Sequence, residues 1–194
     1  STDGGKTFTH MGLASTQTIA RVLTHPTDPD TVYVGASGHP WGYSGDRGLF
    51  KTTDGGKTWT KLGGGLPNDG KTGVIDLVMN PADPQTLYAA FWQRLRLPWR
   101  FDSGGPNSGI FMTADGGASW KKLQEEDGMP KGPLGRIGVA ICRTRPEVVY
   151  ALVEAEKSAL LRSEDGGRTF KTVNDTPNVA PRPFYYADLR VDPE

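Results

Sequence analysis

The stretch Thr52-Thr-Asp-Gly-Gly-Lys-Thr-Trp59 decides the fold of this chain, because near-copies of it occur three more times. The copies are Ser1-Thr-Asp-Gly-Gly-Lys-Thr-Phe8, Thr113-Ala-Asp-Gly-Gly-Ala-Ser-Trp120 and Ser163-Glu-Asp-Gly-Gly-Arg-Thr-Phe170. The aspartates of these four octets lie 51, 61 and 50 residues apart along the 194-residue chain. A period of this size is typical of a repeat architecture.

Each octet predicts a tight turn between two strands. The Gly-Gly pair permits the positive φ angles that a short connection needs. The Asp carboxylate and the leading hydroxyl can accept hydrogen bonds from nearby backbone N–H groups. Four identical sites suit a structural role better than one active centre, so we interpret the octet aspartates as structural rather than catalytic; they are Asp3, Asp54, Asp115 and Asp165.

A proline-rich turn recurs in phase with the octets. It reads His25-Pro-Thr-Asp-Pro-Asp-Thr-Val-Tyr33, then Asn80-Pro-Ala-Asp-Pro-Gln-Thr-Leu-Tyr88, then more weakly Arg143-Thr-Arg-Pro-Glu-Val-Val-Tyr150, and Val191-Asp-Pro193 begins another. Short apolar or β-branched runs flank every turn, which predicts four strands per repeat. We place strands A at 18–24, 74–80 and 137–142, strands B at 31–36, 86–91 and 148–153, strands C at 49–53, 110–114 and 160–163, and strands D at 57–62, 118–123 and 168–173.

Four antiparallel strands per repeat predict an all-β protein, a β-propeller built from four-stranded blades. The complete blades are expected at residues 17–62, 74–123 and 136–173, with a lone strand D at 1–11 and a lone strand A at 184–191. Because propellers close with four to eight blades, we expect these residues to be an arc of a larger ring. The remaining blades of the parent protein are then the first expected partners.

Composition excludes several classes of function. The 22 basic and 22 acidic residues balance, so nothing indicates attraction to nucleic acid or to an acidic membrane surface. No apolar run is long enough to span a membrane. No residue pattern points to a metal site or a cofactor. The run Gly65-Leu-Pro-Asn-Asp-Gly-Lys-Thr72 matches a phosphate-binding loop in letters, but strands flank it where that chemistry needs a helix.

The octets resemble Asp-box motifs, also called bacterial neuraminidase repeats, and their alternation with the proline turns resembles the sortilin-type propellers. The chain is also similar to the xyloglucan-cleaving glycoside hydrolases built from two propellers, and to large exported bacterial proteins of the sortilin-like group. The resemblance implies a secreted or periplasmic protein whose signal peptide lies outside these residues. It carries the structural Asp-box role to the four octet aspartates. The arginine triad and tyrosine nucleophile of sialidases find no matching positions.

Unusual residues collect in the loops at the end of the blades opposite the octets. The connections from strand B to strand C, expected at 38–47, 92–102 and 154–157, hold three tryptophans and several arginines, and 182–186 adds more aromatics. Aromatic faces beside arginine and glutamine suit stacking on a sugar ring or gripping an extended peptide. The candidate ligand-binding residues are Trp41, Trp92, Gln93, Arg94, Trp99, Arg100 and Tyr185. The alternative is that these loops pack on neighbouring blades.

A second hypothesis concerns the inner strands. Arg21, Asp76 and Gly138 hold equivalent positions, twelve residues before the tyrosine of each proline turn, and Asp188 holds the matching place near Pro193. Inverting glycosidases use two carboxyl groups roughly 6.5–9.5 Å apart, which makes Asp76 and Asp188 the candidate acid–base pair. The alternative is an Arg21–Asp76 ion pair between blades with Asp188 in solvent. The sequence favours a non-catalytic binding or scaffold module, with an inverting xyloglucanase-like hydrolase as the alternative.

Overall fold

The computed structural model describes residues 1–192 and contains three antiparallel four-stranded sheets, each in simple sequential order. The first blade has β1 (Ile19–Thr24), β2 (Val32–Ala36), β3 (Gly48–Thr52) and β4 (Thr60–Lys61). The second has β5 (Thr72–Met79), β6 (Leu87–Leu97), β8 (Gly109–Thr113) and β9 (Lys121–Lys122), with β7 (Arg100–Ser103) paired to β6 alone. The third has β10 (Ile137–Ile141), β11 (Val149–Val153), β12 (Ala159–Ser163) and β13 (Lys171–Asn174). The predicted all-β propeller architecture is confirmed.

The hydrophobic core lies between the stacked blades. Phe91 and Phe111 of the second blade meet edge to face, with ring centroids 5.1 Å apart, and pack with Tyr33 and Leu49 of the first blade. A second buried cluster joins the second and third blades around Tyr88, Ile110, Ile137 and Leu161. Each blade therefore buries apolar surface mainly against its neighbour, as in other repeat proteins. The helical content is small: a 3-10 helix forms at Glu125–Asp127, and no helix in the described part of the chain is long and apolar enough to cross a membrane.

The octets form the predicted turns. In the second octet, Asp54 Oδ1 accepts the backbone N–H of Thr58 at 2.9 Å, and Asp54 Oδ2 accepts the Thr58 hydroxyl at 2.6 Å. The Thr52 hydroxyl donates to Asp54 Oδ1 and accepts the N–H of Gly56 at 3.0 Å. The same set of contacts is present around the other three octet aspartates. These bonds lower the pKa of Asp54 to about 2, first through the Thr58 hydroxyl.

Tyrosines of the proline turns fasten each blade to the octet of the next blade. The Tyr33 hydroxyl donates to the carbonyl oxygen of Gly116 at 2.9 Å, and the Tyr88 hydroxyl donates to that of Gly166 at 2.5 Å. Both rings are almost completely buried, and burial raises the pKa of Tyr88 to about 12. The tyrosine of one blade and the first of the two glycines in the next blade's octet thus form one joint between blades.

Three details of the strands differ from the expected positions. The D strands begin about three residues later than expected, at Thr60, Lys121 and Lys171, because the Asp carboxylate still holds the N–H four residues on within the turn. Residues 1–11 and 184–191 form no strand, since neither has a partner strand within the described residues. Pro193 of the last predicted turn lies outside those residues, and the two terminal part-blades stay predictions.

The third difference is the second connection from strand B to strand C. Residues 92–102 are a β-hairpin instead of the expected loop: β6 continues to Leu97, and β7 pairs back from Arg100. The alternation Arg94-Leu95-Arg96-Leu97 has the period of two that favours a strand. The turn at Pro98-Trp99 therefore projects from the blade on a rigid support.

Candidate functional site

The loops between strands B and C meet at the end of the blades opposite the octets. We call this surface the rim: residues 38–47 of the first blade, the hairpin 92–103 of the second, and the neighbouring segment 184–186. The rim is held together by side chains that cross between blades, and these determine which of its groups face solvent.

Arg47 anchors the first rim loop. Its side chain is 1% exposed, and it donates to four backbone carbonyls on three segments. Nη1 contacts Lys71 O at 2.6 Å and Arg94 O at 3.0 Å, and Nη2 contacts Gly42 O at 2.8 Å and His39 O at 3.3 Å. Burial lowers the pKa of Arg47, although the surrounding carbonyl dipoles favour the charged form. The sequence contained this arginine in a loop, but nothing local marked it as an anchor.

Arg96 joins the first rim loop to the hairpin. Its guanidinium carbon lies 5.4 Å from the ring centroid of Trp41 and 5.4 Å from that of Phe101. The backbone N–H of Gly42 donates to Arg96 O at 3.0 Å. Cation–π attraction of this kind holds a guanidinium beside an aromatic ring. Arg96, which the sequence analysis did not select, is the residue that orders Trp41.

A buried network lies beneath the hairpin. Trp92 Nε1 donates to Ser103 Oγ at 3.0 Å, and the Ser103 hydroxyl donates to Glu154 Oε2 at 2.6 Å. Glu154 Oε2 also accepts the backbone N–H of Arg136 at 2.7 Å. Trp92 is only 5% exposed. The guanidinium carbons of Arg94 and Arg136 lie 5.3 Å and 5.8 Å from the centroid of its ring. The expectation that Trp92 presents an open face is therefore wrong: it supports the hairpin from below.

The other candidate ligand-binding residues differ in exposure. Trp99 at the hairpin turn is 81% exposed, and Trp41 and Tyr185 are about half exposed. Arg100 is exposed and pairs with Asp102, Nε to Oδ1, at 2.8 Å. The Gln93 side chain packs against Gly105, so that a Cβ at Gly105 would overlap it. Trp41, Trp99 and Tyr185 are the open aromatic groups of the predicted set.

A ladder of rings continues from the hairpin to the segment 184–186. Successive centroids lie 6.3 Å apart for Trp92–Phe101, 5.4 Å for Phe101–Phe184, 4.5 Å for Phe184–Tyr185 and 6.2 Å for Tyr185–Tyr186. Arg136 Nη1 donates to the carbonyls of Phe184 and Tyr185 at 3.3 and 3.2 Å. The Trp92 end of the ladder is buried, while its Tyr186 end is exposed.

Arg21 of β1 lies between the two candidate acid–base carboxylates, Asp76 of β5 and Asp188 of the C-terminal segment. Its Nε donates to Asp76 Oδ1 at 2.6 Å, and its Nη2 donates to Asp188 Oδ1 at 3.2 Å. Asp76 is 3% exposed, and its oxygens also accept the backbone N–H groups of Leu77 at 2.9 Å and Val139 at 3.0 Å. The Arg21–Asp76 pair thus joins the first blade to the second, and Asp76 extends the link to the third.

Asp188 is the more accessible of the two carboxylates. Partial burial raises its pKa, but hydrogen bonds and charge from Arg190 and then Arg21 outweigh burial and hold the pKa of Asp188 below its usual value. A general acid needs a raised pKa. This arrangement gives a structural ion pair and one solvent-facing carboxylate.

The run that matched a phosphate-binding loop is occupied by its own chain. Asp69 Oδ1 accepts the backbone N–H groups of Lys71 and Thr72, both at 2.8 Å, and Asp69 Oδ2 accepts the Thr72 hydroxyl at 2.9 Å. Thr72 then begins β5 rather than a helix. The Asp69 carboxylate therefore accepts the backbone N–H groups that would bind a phosphate in a true phosphate-binding loop. The run is a connection between blades, as the sequence predicted.

Comparison with known proteins adds a family. Residues 1–129 match the family model Sortilin-Vps10, described as sortilin, neurotensin receptor 3. A xyloglucanase of Hypocrea jecorina is 31% identical over 129 residues, which is 66% of this chain and 13% of that protein. A xyloglucanase of Acetivibrio thermocellus is 25% identical over 182 residues, or 82% of this chain and 20% of that protein. The chain thus spans a fifth or less of these relatives.

Solved structures agree on the fold. The GH74 enzyme of Niastella koreensis superposes with a TM-score of 0.65 and 22% sequence identity, over 89% of this chain and 25% of that one. At this level of identity the likeness concerns the arrangement of the blades alone.

Proposed function

This chain belongs to the sortilin-Vps10 family, and on that premise we propose that it is a non-catalytic glycan-binding part of a secreted propeller protein. The rim is the proposed binding surface. Stacking of aromatic side chains on sugar rings is the chemistry that its open rings suit best. The similarity to proteins named xyloglucanase supports a polysaccharide as the ligand class, ahead of an extended peptide.

The observation that carries the proposal is the pairing of an open ring with a rigid support. Trp99 is 81% exposed, yet it lies at the turn of a hairpin whose two strands form four cross-strand pairs. Trp41 is supported by a cation–π contact, with the guanidinium carbon of Arg96 5.4 Å from the centroid of its ring. Large exposed apolar groups on ordered backbone favour binding because little conformational freedom is lost when a ligand docks.

The alternative function is an inverting glycoside hydrolase with Asp76 and Asp188 as its acid and base. The relatives' names favour it, but the local geometry does not. Asp76 is buried and its oxygens are engaged by Arg21 and two backbone N–H groups, which leaves it poorly placed to reach a glycosidic oxygen. The parent protein's other blades remain the first proposed partners.

Affinity electrophoresis in gels containing soluble xyloglucan or mixed-linkage β-glucan tests the proposal. We expect retardation of the wild-type chain, and a loss of about tenfold in affinity in Trp99→Ala, since a stacked ring contributes on the order of 1 kcal/mol beyond its buried area. Phe8→Ala is the matched control, because Phe8 is 82% exposed but lies in the first octet, away from the rim.

Equal retardation of wild type, Trp99→Ala and a Trp41→Ala/Trp99→Ala double variant would remove the rim as the binding surface. Release of reducing sugar from xyloglucan by the wild type, abolished in Asp188→Asn, would replace the binding module with the hydrolase.

A further inference from the structure

Two arginines of the rim carry charge that no acidic side chain neutralises. Six other arginine and lysine residues among residues 1–192 form ion pairs, but Arg94 and Arg96 have no carboxylate within ion-pair distance among the described side chains. The nearby acids have other partners: Asp102 pairs with Arg100, and Glu154 accepts Ser103 and the N–H of Arg136.

Their hydrogen-bonding capacity is also largely unused. A guanidinium has five N–H donors. The Arg94 side chain makes one long contact, Nη2 to His39 O at 3.4 Å, and the Arg96 side chain makes one, Nη1 to the Tyr185 hydroxyl at 3.5 Å. Both exceed the usual N–H···O range. By contrast, Arg47 of the same region donates to backbone carbonyls at 2.6 and 2.8 Å.

The free donors of these two arginines are positioned together. Residues two apart on a strand project from the same face, and Arg94 and Arg96 are two apart on β6. Each guanidinium lies against an aromatic ring, Arg94 over Trp92 and Arg96 over Trp41 and Phe101. A cation–π contact uses the charge of the guanidinium and leaves its N–H groups able to donate, and a guanidinium with free N–H groups can bind a carboxylate through two parallel hydrogen bonds.

The two arginines are held together against repulsion. Burial lowers the pKa of Arg94 first, and the positive charges of Arg47, Arg96 and Arg136 lower it further. A bound anion would relieve this repulsion as well as accept the free donors, because an opposite charge stabilises the charged form of each group.

We propose that the rim recognises an acidic glycan, with a uronate carboxylate bound at the edges of Arg94 and Arg96 and a neighbouring sugar ring stacked on Trp41 or Trp99. The inference rests on the proposed glycan-binding function and names its ligand class. A uronate polymer fits because it places carboxylates and apolar sugar faces on one chain. An acidic peptide would satisfy the arginines but would leave the open tryptophans without flat partners.

Isothermal titration of the wild-type chain with polygalacturonate and with fully methyl-esterified galacturonan tests this inference. The two polymers share the sugar and differ in charge. We expect the acid form to bind at least tenfold more tightly. Its affinity should fall as NaCl is raised from 50 to 500 mM, because the Debye length, about 10 Å at 0.1 M, shortens as salt is added and the charges are screened. Arg96→Gln should lower affinity for the acid form about tenfold, and affinity for neutral xyloglucan by a smaller factor, since the neutral polymer loses only the support that Arg96 gives Trp41.

Arg145→Gln is the charge-matched control, because Arg145 is exposed in the proline turn at the opposite end of the third blade. Arg96→Lys keeps the positive charge but cannot make two parallel hydrogen bonds to a carboxylate. It should therefore bind polygalacturonate more weakly while the affinity still depends on salt. Equal binding of the acid and esterified polymers, or an unchanged Arg94→Gln/Arg96→Gln double variant, would overturn the uronate site while xyloglucan binding still upholds the glycan-binding module. Preference for poly-glutamate over polygalacturonate would overturn the glycan class.

Discussion

The two ends of the blades are built on opposite plans. At the octet end, four turns repeat the same internal hydrogen bonds, and each is complete within eight residues. At the rim end, the three connections share neither length nor sequence, and the first depends on one buried arginine that contacts three separate segments. Repeated local bonding fixes the architecture at one end, whereas single long-range contacts shape the surface at the other. A propeller can therefore vary its rim loops without altering the turns that define its fold.

The largest effect that distinguishes the two ends is expected at Arg47. Arg47→Ala removes a buried side chain together with its four hydrogen bonds, to the carbonyls of residues 39, 42, 71 and 94. We expect a loss of about 3 kcal/mol in the free energy of unfolding, because several hydrogen bonds from a charged group and the packing of its buried stem are lost together. Urea denaturation followed by tryptophan fluorescence measures it. Arg145→Ala, which removes an exposed arginine, is the control, and equal stabilities for the two variants would show that the rim does not depend on its anchor.

An intermediate effect is expected in the fourth octet, where two adjacent glycines differ in their surroundings. Both have positive φ, +69° at Gly166 and +71° at Gly167. A Cβ on Gly166 would meet nothing within 4 Å, whereas one on Gly167 would overlap the ring of Tyr88 from the second blade.

Gly166→Ala should lower the free energy of unfolding by about 1 kcal/mol through backbone strain alone. Gly167→Ala should lower it by about 2 kcal/mol more, because the added methyl group also clashes with Tyr88. Differential scanning calorimetry gives both values. Equal melting temperatures would mean that the octets act only within themselves and not as joints between blades.

The smallest effect is a pH dependence shared by the octets. The folded-state pKa of Asp54 is lowered from 3.8 to about 2, first by the Thr58 hydroxyl. A depressed pKa means that the ionised carboxylate stabilises the fold above the unfolded pKa, and that this contribution is lost as the pH falls through the folded value.

Asp54→Asn should therefore melt below wild type at pH 7, and the gap should narrow between pH 4 and pH 2. Thermal melts across this range check the trend. Glu126→Gln, which removes an exposed carboxylate outside the octets, should show no such convergence. A constant gap for Asp54→Asn would assign its role to shape rather than charge.

The sequence predicted what depends on near neighbours and missed what depends on distant ones. The octet turns and the three sheets followed from Asp-Gly-Gly spacing and alternating apolar runs. The hairpin at 92–103 carried a visible signal, the alternation at Arg94–Leu97, which the loop-like Pro98-Trp99 obscured. The burial of Trp92 depends on Ser103 and on Arg136 of another blade. Such contacts exist only once the blades are stacked, so no local pattern identifies them.

The tyrosine joints bear on how such a protein can arise. The first and second complete repeats each carry a tyrosine that donates to the following repeat, and the second and third each carry an octet glycine whose carbonyl accepts from the preceding one. A tandem duplication of one repeat would produce a copy already fitted to both neighbours, with no new interface to evolve. Unequal exchange between gene segments could then lengthen or shorten the array one blade at a time. The rim loops, which take no part in this joint, would be free to diverge from the first generation onward.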